Sequence, residues 1–260
     1  MRRRLQHVRH AGKKGPFYTR RGATGQLRTR WYIPATTPCK ERWVASNVQQ
    51  PMKNHYQQSR FLLGTPDMRC APVDSGAEVA FAGRSNAGKS SALNVITGQR
   101  SLARISKAPG RTREINFFEV RDNLRLVDLP GYGYAKVSKA IQKQWQQNIA
   151  RYLETRHSLC GVFLLMDIRH PLKDFDQLVL RWCNAADLPT HILLTKADKL
   201  KRGAANAALL QVRRQLQELH PGSSLQLFSS LTRDGTYAAR AKLDEWLGIS
   251  TEEPNDSAVD

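Results

Sequence analysis

The chain has 260 residues, 40% of them hydrophobic and 24% charged, which suits one α/β domain with an extension and excludes two full domains. The longest apolar run, residues 161–166, is far shorter than the roughly 20 residues of a membrane-spanning helix, so no membrane partner is expected. Lys and Arg number 41 against 22 Asp and Glu, and the net charge of +19 favours a polyanionic partner such as nucleic acid.

The first 51 residues differ in composition from the rest of the chain. They carry a net charge of +11 and no sustained apolar period, so residues 1–51 are predicted to be a basic extension that is disordered in isolation. Three interpretations remain open: a basic RNA-binding arm, a targeting segment, or upstream sequence translated from a wrongly chosen start. We favour the third, because Met52 opens the first stretch that behaves like a folded protein. Residues 52–250 are then the folded domain, and residues 251–260 a disordered acidic tail.

Within the folded domain, strand and helix patterns alternate. Near-continuous apolar strands separated by amphipathic helices predict an α/β fold, with a mostly parallel sheet of six strands and helices on both faces. The predicted strands are 78–83, 115–120, 124–129, 161–168, 190–195 and 225–230, and the predicted helices are 88–97, 139–155, 173–184, 202–219 and 234–247. The strands 115–120 and 124–129 are expected to form the antiparallel pair of this sheet.

Helix periodicity and cysteine spacing give two further expectations. One face of the helix 139–155 is expected to be buried, and the tryptophans of three helices are expected to be packing residues. These side chains are Ile141, Trp145, Ile149, Tyr152, Trp182 and Trp246. The four cysteines show no CxxC or Cys/His spacing and are expected to be reduced thiols of a cytosolic protein: Cys39, Cys70, Cys160 and Cys183.

The stretch "GRSNAGKS" (83–90) follows a predicted strand and precedes a predicted helix. This is the setting in which GxxxxGK[ST] forms a phosphate-binding loop, because its glycines let successive backbone N–H groups point at the anion. Lys89 is expected to reach the β and γ phosphates, and the Ser90 hydroxyl to ligate Mg²⁺.

The stretch "TKAD" (195–198) selects the base. The Asp198 carboxylate can accept two hydrogen bonds from guanine, whereas adenine offers no donor at those positions. The aliphatic stem of Lys196 is expected to lie along the base plane. At the end of the last strand, backbone N–H groups of "SSL" (229–231) could contact the guanine O6 atom.

Two more loops are expected near the γ phosphate. In "DLPG" (128–131), Asp128 is placed to hold Mg²⁺ through a water molecule, and the Gly131 N–H to touch the γ phosphate. In "PGRTRE" (109–114), the Thr112 hydroxyl can complete the Mg²⁺ shell on a loop that orders when nucleotide binds.

These motifs together predict a site for GTP, GDP and Mg²⁺. Lys89, Thr112 and Gly131 are the candidate catalytic residues. The candidate nucleotide-binding residues are Gly83, Arg84, Ser85, Asn86, Ala87, Gly88, Lys89, Ser90, Ser91, Gly110, Arg111, Thr112, Asp128, Leu129, Pro130, Gly131, Thr195, Lys196, Ala197, Asp198, Ser229 and Ser230.

With "PGRTREINFFEV", "LVDLPGYGYAKV", "DIRHPLKDFD" and "LLTKADKL" added to the phosphate loop, the chain resembles the EngB (YihA/YsxC) family of bacterial ribosome-biogenesis GTPases, of the TRAFAC class. The resemblance covers roughly residues 54–248. It implies a Ras-like, Mg²⁺-dependent P-loop GTPase, cytoplasmic and monomeric. It also implies a role in maturation of the large ribosomal subunit, with rRNA and ribosomal proteins as partners, and in cell division and septation. The chain has Thr195 where many GTPases have Asn, which leaves open how that side chain ties the base loop to the phosphate loop.

Two positions concern the mechanism of GTP hydrolysis. Tyr132 stands where Ras-type enzymes carry the glutamine that orients water, so intrinsic hydrolysis should be slow. We expect Tyr132, Tyr134 and Lys136 to be exposed as a switchable RNA or ribosomal-protein contact, the alternative being that one or both tyrosines pack under this nucleotide-sensitive loop, the switch. Related potassium-activated GTPases carry an asparagine at the position of Asn86, which makes a K⁺ site conceivable; the alternative is that Asn86 only hydrogen-bonds its own loop.

Rival functions remain open at this point. The first is a non-catalytic RNA-binding protein that uses nucleotide only as a structural ligand, and the second is a P-loop ATPase or kinase. The related Era and Der families fit less well, because the chain has no room for a KH domain or a second GTPase domain. His170 in "DIRHP" is expected to be a structural loop residue.

Overall fold

The computed structural model describes residues 54–103, 114–132 and 139–249, with the backbone alone for 139–142, and two short strands nearer the N-terminus. The chain divides into two compact units, residues 1–50 and 51–260. In the first unit, β1 (Thr19–Arg21) pairs antiparallel with β2 (Leu27–Thr29). The predicted disorder of the extension and of the acidic tail falls mainly on residues outside the described ranges and stays a prediction.

The second unit is built on a seven-stranded sheet in the order β3-β5-β6-β4-β7-β8-β9. The central strands β6, β4, β7 and β8 run parallel, as does β9, whereas β3, β5 and β6 pair antiparallel. The strands are β3 (Arg60–Thr65), β4 (Ala77–Gly83), β5 (Ile115–Arg121), β6 (Leu124–Asp128), β7 (Leu159–Asp167), β8 (Thr190–Thr195) and β9 (Ser224–Leu227). The predicted α/β fold is therefore confirmed, including the antiparallel pair formed by β5 and β6.

The sheet has one strand more than predicted. β3 is an edge strand that pairs only with β5, and a register shift interrupts it between Phe61 and Leu63. Phe61 is 56% exposed, so the strand lacks the alternation of buried and exposed residues by which a half-buried strand is recognised. This is why the prediction of six strands was wrong at this edge. The last predicted strand also ends earlier than expected, at Leu227.

Five helices cover both faces of the sheet, as predicted. Helices α2, α3 and α4 pack against one face, and α1 and α5 against the other, each side forming its own apolar cluster. The helices are α1 (Lys89–Thr97), α2 (Lys139–Thr155), α3 (Asp174–Ala185), α4 (Arg202–Leu219) and α5 (Thr236–Leu247). On α2, Trp145, Ile149 and Tyr152 are buried as predicted, while the side chain of Ile141 lies outside the described part.

The other two helical tryptophans also pack as predicted. The Trp182 ring meets the Phe175 ring edge-on, with centroids 5.7 Å apart, and the Trp246 ring meets that of Phe163 at 5.4 Å. Cys70, Cys160 and Cys183 carry free thiols, and Cys39 lies outside the described ranges. Over those ranges, no His, Cys, Asp and Glu side chains gather in a group of three that could hold a metal. None of the helices described here has both the length and the apolar character needed to cross a bilayer.

A buried charge network closes the core at the amino ends of the strands. Glu78 on β4 is fully buried, and its Oε1 atom accepts hydrogen bonds from Arg125 Nε at 2.7 Å and from Arg156 Nη2 at 2.6 Å. Its Oε2 atom accepts from the Tyr152 hydroxyl at 3.1 Å. Because the carboxylate has two guanidinium partners and a phenol, its burial leaves no unpaired charge. The network ties β4 to β6 and to the end of α2.

The segment before β3 joins the two helices of the opposite face. The 3₁₀ helix His55–Gln58 carries the buried Tyr56, whose hydroxyl donates to Asp244 Oδ1 of α5 at 2.6 Å. Asn54 Nδ2 donates to the Thr97 carbonyl at the end of α1, at 2.9 Å. The start of the folded unit is thus fixed to α1 and to α5 at once.

His191 on β8 gives the fold a pH dependence. Its Nε2 atom lies 3.0 Å from Gln226 Oε1, which can only accept, so Nε2 carries a proton, and its Nδ1 atom lies 2.7 Å from the Ser224 hydroxyl oxygen. Burial lowers the pKa of His191 to about 4.

We expect the free energy of unfolding to fall as the pH drops from 6.5 towards 4, because the unfolded chain then takes up a proton that folded His191 does not. The slope from this group approaches about 1.4 kcal/mol per pH unit. Urea unfolding at pH 7 and pH 5 should show a smaller loss for His191→Gln than for the wild type. His157→Gln, at an exposed position, should behave as wild type. Equal losses for His191→Gln and the wild type would contradict this assignment.

Candidate functional site

The predicted phosphate loop connects β4 to α1, as expected. Gly83 ends β4 so close to β7 that an added Cβ atom would lie 2.8 Å from the Leu165 carbonyl oxygen. Gly88 has a φ of +90°, which favours glycine, and as the N-cap of α1 it supplies no side-chain hydrogen bond. The first N–H groups of α1 are therefore left for another acceptor, and a phosphate is the acceptor that suits a helix N-terminus best.

Lys89 and Asp128 are brought together by the parallel pairing of β4 with β6. Lys89 Nζ donates a hydrogen bond to Asp128 Oδ1, and both side chains are buried. The two residues predicted to serve the phosphates and Mg²⁺ are thus within direct reach of each other. The roles predicted from the sequence, Lys89 at the phosphates and Asp128 at the water shell of Mg²⁺, would require this pair to separate.

The DLPG segment lies against the phosphate loop. The Leu129 N–H donates to the Phe81 carbonyl at 3.0 Å, which carries the pairing of β6 with β4 one residue past the strand. At Gly131, an added Cβ atom would come to 3.4 Å from Ser85 Cα. The Ser85 N–H donates to the Tyr132 carbonyl at 2.8 Å. A displacement of either loop is therefore expected to move the other.

The expected exposure of Tyr132 is wrong. This side chain is only 3% exposed, its ring centroid lies 4.2 Å from that of Phe175, and its hydroxyl donates to Asp176 Oδ1 at 2.7 Å. The alternative, packing under the switch, is the correct one, because a partner on α3 satisfies the phenol in the core. Tyr134 and Lys136 lie outside the described residues.

Thr195 and Lys196 fasten the base loop to the phosphate loop. Thr195 Oγ1 lies 2.5 Å from the Ala87 carbonyl oxygen and 3.0 Å from that of Met166. The threonine therefore ties the base loop to the phosphate loop through its hydroxyl group. Lys196, with a φ of +58°, donates from Nζ to the Asn86 carbonyl at 2.7 Å.

Asp167 at the end of β7 completes this fastening. Its Oδ2 atom lies 3.0 Å from Lys196 Nζ, and Arg169 contacts both of its carboxylate oxygens. Hydrogen bonds from Arg169 and then Lys196 lower the pKa of Asp167, so the carboxylate stays ionised. His170, expected to be a structural loop residue, is exposed and lines a cleft beside Arg84 and Asn86.

Asp198 is oriented by a residue whose role the sequence did not indicate. The fully buried Ser229 donates from its hydroxyl to Asp198 Oδ1 at 2.7 Å. The Ser229 hydroxyl oxygen in turn accepts from the N–H groups of Leu231 and Thr232, each at 3.2 Å. The Ser229 hydrogen bond, followed by that from Lys199, lowers the pKa of Asp198. Ser229 was predicted to act through its backbone; its spacing to Asp198, 31 residues, carries no local signal.

The described candidate residues collect at the carboxyl edge of the parallel strands. They lie in or directly after β4, β6, β8 and β9, or in the first turn of α1, at the usual ligand-binding edge of an open α/β sheet. The described residues in this group are Gly83, Arg84, Ser85, Asn86, Ala87, Gly88, Lys89, Ser90, Ser91, Asp128, Leu129, Pro130, Gly131, Thr195, Lys196, Ala197, Asp198, Ser229 and Ser230. Gly110, Arg111 and Thr112 lie outside the described ranges.

Asp198→Asn tests the base-binding assignment. It replaces an acceptor with a donor facing a guanine N–H, which should weaken GDP binding by about 2 kcal/mol, roughly thirtyfold. Xanthosine diphosphate, which presents an oxygen in place of the amine, should bind this variant better than it binds the wild type. Fluorescent-nucleotide titrations measure both affinities, and Asp122→Asn in the exposed β5–β6 turn is the matched control. Unchanged GDP affinity in Asp198→Asn would refute the assignment.

Comparison with known proteins agrees with this geometry. The model of the family described as "50S ribosome-binding GTPase" matches residues 78–196. "Probable GTP-binding protein EngB" of Nitrosococcus oceani is 55% identical over 197 residues, covering 76% of this chain and 96% of its own length. The protein with the same description in Shigella boydii is 54% identical over 192 residues, covering 74% of this chain and 91% of its own length.

Solved structures show the same fold. A crystal structure of a probable GTP-binding protein engB superposes with a TM-score of 0.55 at 23% identity, covering 67% of this chain and 100% of that one. Aquifex aeolicus Era bound to GDP and AlF₄⁻ superposes with a TM-score of 0.51 at 18% identity, covering 70% of this chain and 61% of that one. With a relative above 50% identity that is matched over nearly its whole length, the chain belongs to the EngB family of P-loop GTPases, which bind and hydrolyse GTP.

Proposed function

We propose that this GTPase is a cytoplasmic, monomeric switch that assists assembly of the large ribosomal subunit and is needed for normal cell division. GTP would order the loop of Thr112 and the segment after Gly131, creating a surface for rRNA or ribosomal proteins. Hydrolysis to GDP and phosphate would release that surface. The observation that carries the proposal is the hydrogen bond from the Ser85 N–H to the Tyr132 carbonyl. It gives the phosphate loop a direct contact with the end of the DLPG segment, which is expected to respond to the γ phosphate.

The family and the charge support a ribosomal partner. The matching family is described as ribosome-binding, and the excess of 41 Lys and Arg over 22 Asp and Glu suits a surface rich in phosphate. A rival function, a nucleotide-stabilised RNA-binding protein with negligible catalysis, shares this charge. The two differ in whether nucleotide state changes the affinity for the ribosome.

The residues present suit Mg²⁺. Ser90 offers a hydroxyl oxygen and Asp128 a carboxylate, both hard ligands of the kind that Mg²⁺ prefers, and Asp128 already faces the phosphate-binding Lys89. Ser90 and Thr112 would bind the ion directly, and Asp128 through a water molecule. When bound, Mg²⁺ supplies charge neutralisation at the β and γ phosphates.

Positioning carries most of the catalysis in this proposal. Lys89 holds the phosphates, and the Gly131 N–H, set against the phosphate loop, fixes the γ phosphate for in-line attack by water. Tyr132 cannot orient that water, because its hydroxyl is bonded to Asp176 in the core. A slow intrinsic rate follows from the lack of a water-orienting side chain at this position.

Co-sedimentation with purified large ribosomal subunits tests the proposed switch. We expect severalfold tighter binding with a non-hydrolysable GTP analogue than with GDP or without nucleotide. Lys89→Ala, which removes the phosphate contact, should lose this nucleotide dependence. Equal affinity in all three conditions would favour the non-catalytic RNA-binding protein.

Asn86 supports a K⁺ site beside the phosphates. Its side chain is exposed, its φ is +64°, and its amide makes no hydrogen bond to the described part of the chain. The alternative, an amide that braces its own loop, therefore receives no support from the described contacts. A cation held by this amide would supply charge where an arginine finger acts in other GTPases.

We expect GTP turnover at fixed ionic strength to be severalfold faster in K⁺ than in Na⁺. Asn86→Ala should erase the difference while leaving GDP affinity within about twofold, since the Asn86 contact to Lys196 uses the backbone carbonyl. Asn123→Ala is the matched control, because Asn123 also has a positive φ, +61°, and sits in the β5–β6 turn. Equal rates in both salts, with and without large subunits, would exclude the K⁺ site.

A further inference from the structure

Tyr132 forms hydrogen bonds both to the phosphate loop and to helix α3. Through its backbone, it forms a parallel bridge with Arg84, and its carbonyl accepts from the Ser85 N–H. Through its side chain, it reaches α3, where the hydroxyl donates to Asp176 Oδ1 at 2.7 Å. The residue directly after Gly131 is thus held from both directions.

Asp176 is itself fixed at the start of α3. It is 1% exposed, and its second carboxylate oxygen, Oδ2, accepts from the backbone N–H of the N-cap residue Lys173 at 3.0 Å. The carboxylate therefore cannot follow the tyrosine if the switch loop moves. Moving Tyr132 away would leave the buried Oδ1 atom without this donor, which is costly for a buried polar group.

The ring of Tyr132 adds a second contact to the same helix. It packs against Phe175, the neighbour of Asp176, with centroids 4.2 Å apart and an interplanar angle of 38°. Phe175 in turn contacts Trp182, about two turns further along α3. Side chain and backbone together confine Gly131 to one position relative to the phosphate loop.

We propose that Tyr132 is a positioning residue for GTP hydrolysis, and that its hydrogen bond to Asp176 is a latch that holds the Gly131 N–H at the γ phosphate. The latch gives the side chain at this position a role in hydrolysis although it is not the water-orienting glutamine. The tyrosine acts on the backbone next to it rather than on the attacking water. This inference concerns hydrolysis by the isolated protein and does not depend on the ribosomal partner.

Loss of the latch is expected to affect bound GTP and bound GDP differently. GDP has no γ phosphate, so loosening Gly131 leaves the contacts of GDP with the phosphate loop and with Asp198 in place. Bound GTP loses a contact that grows in importance as the γ phosphoryl group departs. Loss of the latch should therefore lower the hydrolysis rate of bound GTP much more than it lowers GDP affinity.

Tyr132→Phe and Tyr56→Phe form a matched pair for the test. Each keeps a buried ring and removes one hydroxyl that donates to a buried aspartate, Asp176 in one case and Asp244 in the other. The hydroxyl of Tyr56 donates to α5, whereas that of Tyr132 donates to α3 from the residue next to Gly131. Single-turnover hydrolysis, GDP affinity and melting temperature are measured for both, together with Asp176→Ala and Asp176→Asn.

We expect Tyr132→Phe and Asp176→Ala to slow single-turnover hydrolysis roughly tenfold, with GDP affinity changed by less than about twofold. Tyr56→Phe should lose thermal stability but keep the wild-type rate. Asp176→Asn, whose amide can still bond both the phenol and the Lys173 N–H, should stay within about threefold of the wild-type rate. Equal rate losses in Tyr132→Phe and Tyr56→Phe would overturn the latch. So would a wild-type rate in Asp176→Ala, or equal losses of rate and GDP affinity.

Discussion

The parallel register of the central strands is the constraint on which the nucleotide site depends. Pairing of β4 with β6 sets Phe81 opposite Asp128, and pairing of β7 with β8 sets Asp167 opposite Thr195. Because parallel strands end at one edge, the loops that follow them are brought together there, where contacts such as that of Thr195 with the Ala87 carbonyl then join them. A slip of one residue would turn the Asp128 side chain to the other face of the sheet and separate it from Lys89.

Charges are treated differently at the two ends of these strands. At the amino ends, Glu78 is neutralised by Arg125 and Arg156, and all three are satisfied within the protein. At the carboxyl ends, Lys89 and Asp128 pair with each other. Because separating a buried ion pair leaves two uncompensated charges, this pair can open only when other charges take the place of each partner.

Local motifs were predictable from the sequence, whereas long-range partners were not. The phosphate loop, DLPG and TKAD each lie where the strand and helix patterns placed them, because each motif needs its own strand end. The edge strand Arg60–Thr65 escaped prediction, since its partner β5 lies some fifty residues away and Phe61 stays exposed. The burial of Tyr132 likewise depends on Asp176, 44 residues further on, and no local pattern signals such a pair.

The bond between Tyr56 and Asp244 has a consequence for biosynthesis. These residues are 188 positions apart, so the turn that carries Tyr56 waits for its partner until α5 has been made. Until then, α5 does not cover the apolar side of α1, and this side is only partly buried. A nascent chain stalled before α5 would expose that surface to chaperones and proteases, whereas a chain that includes α5 covers it.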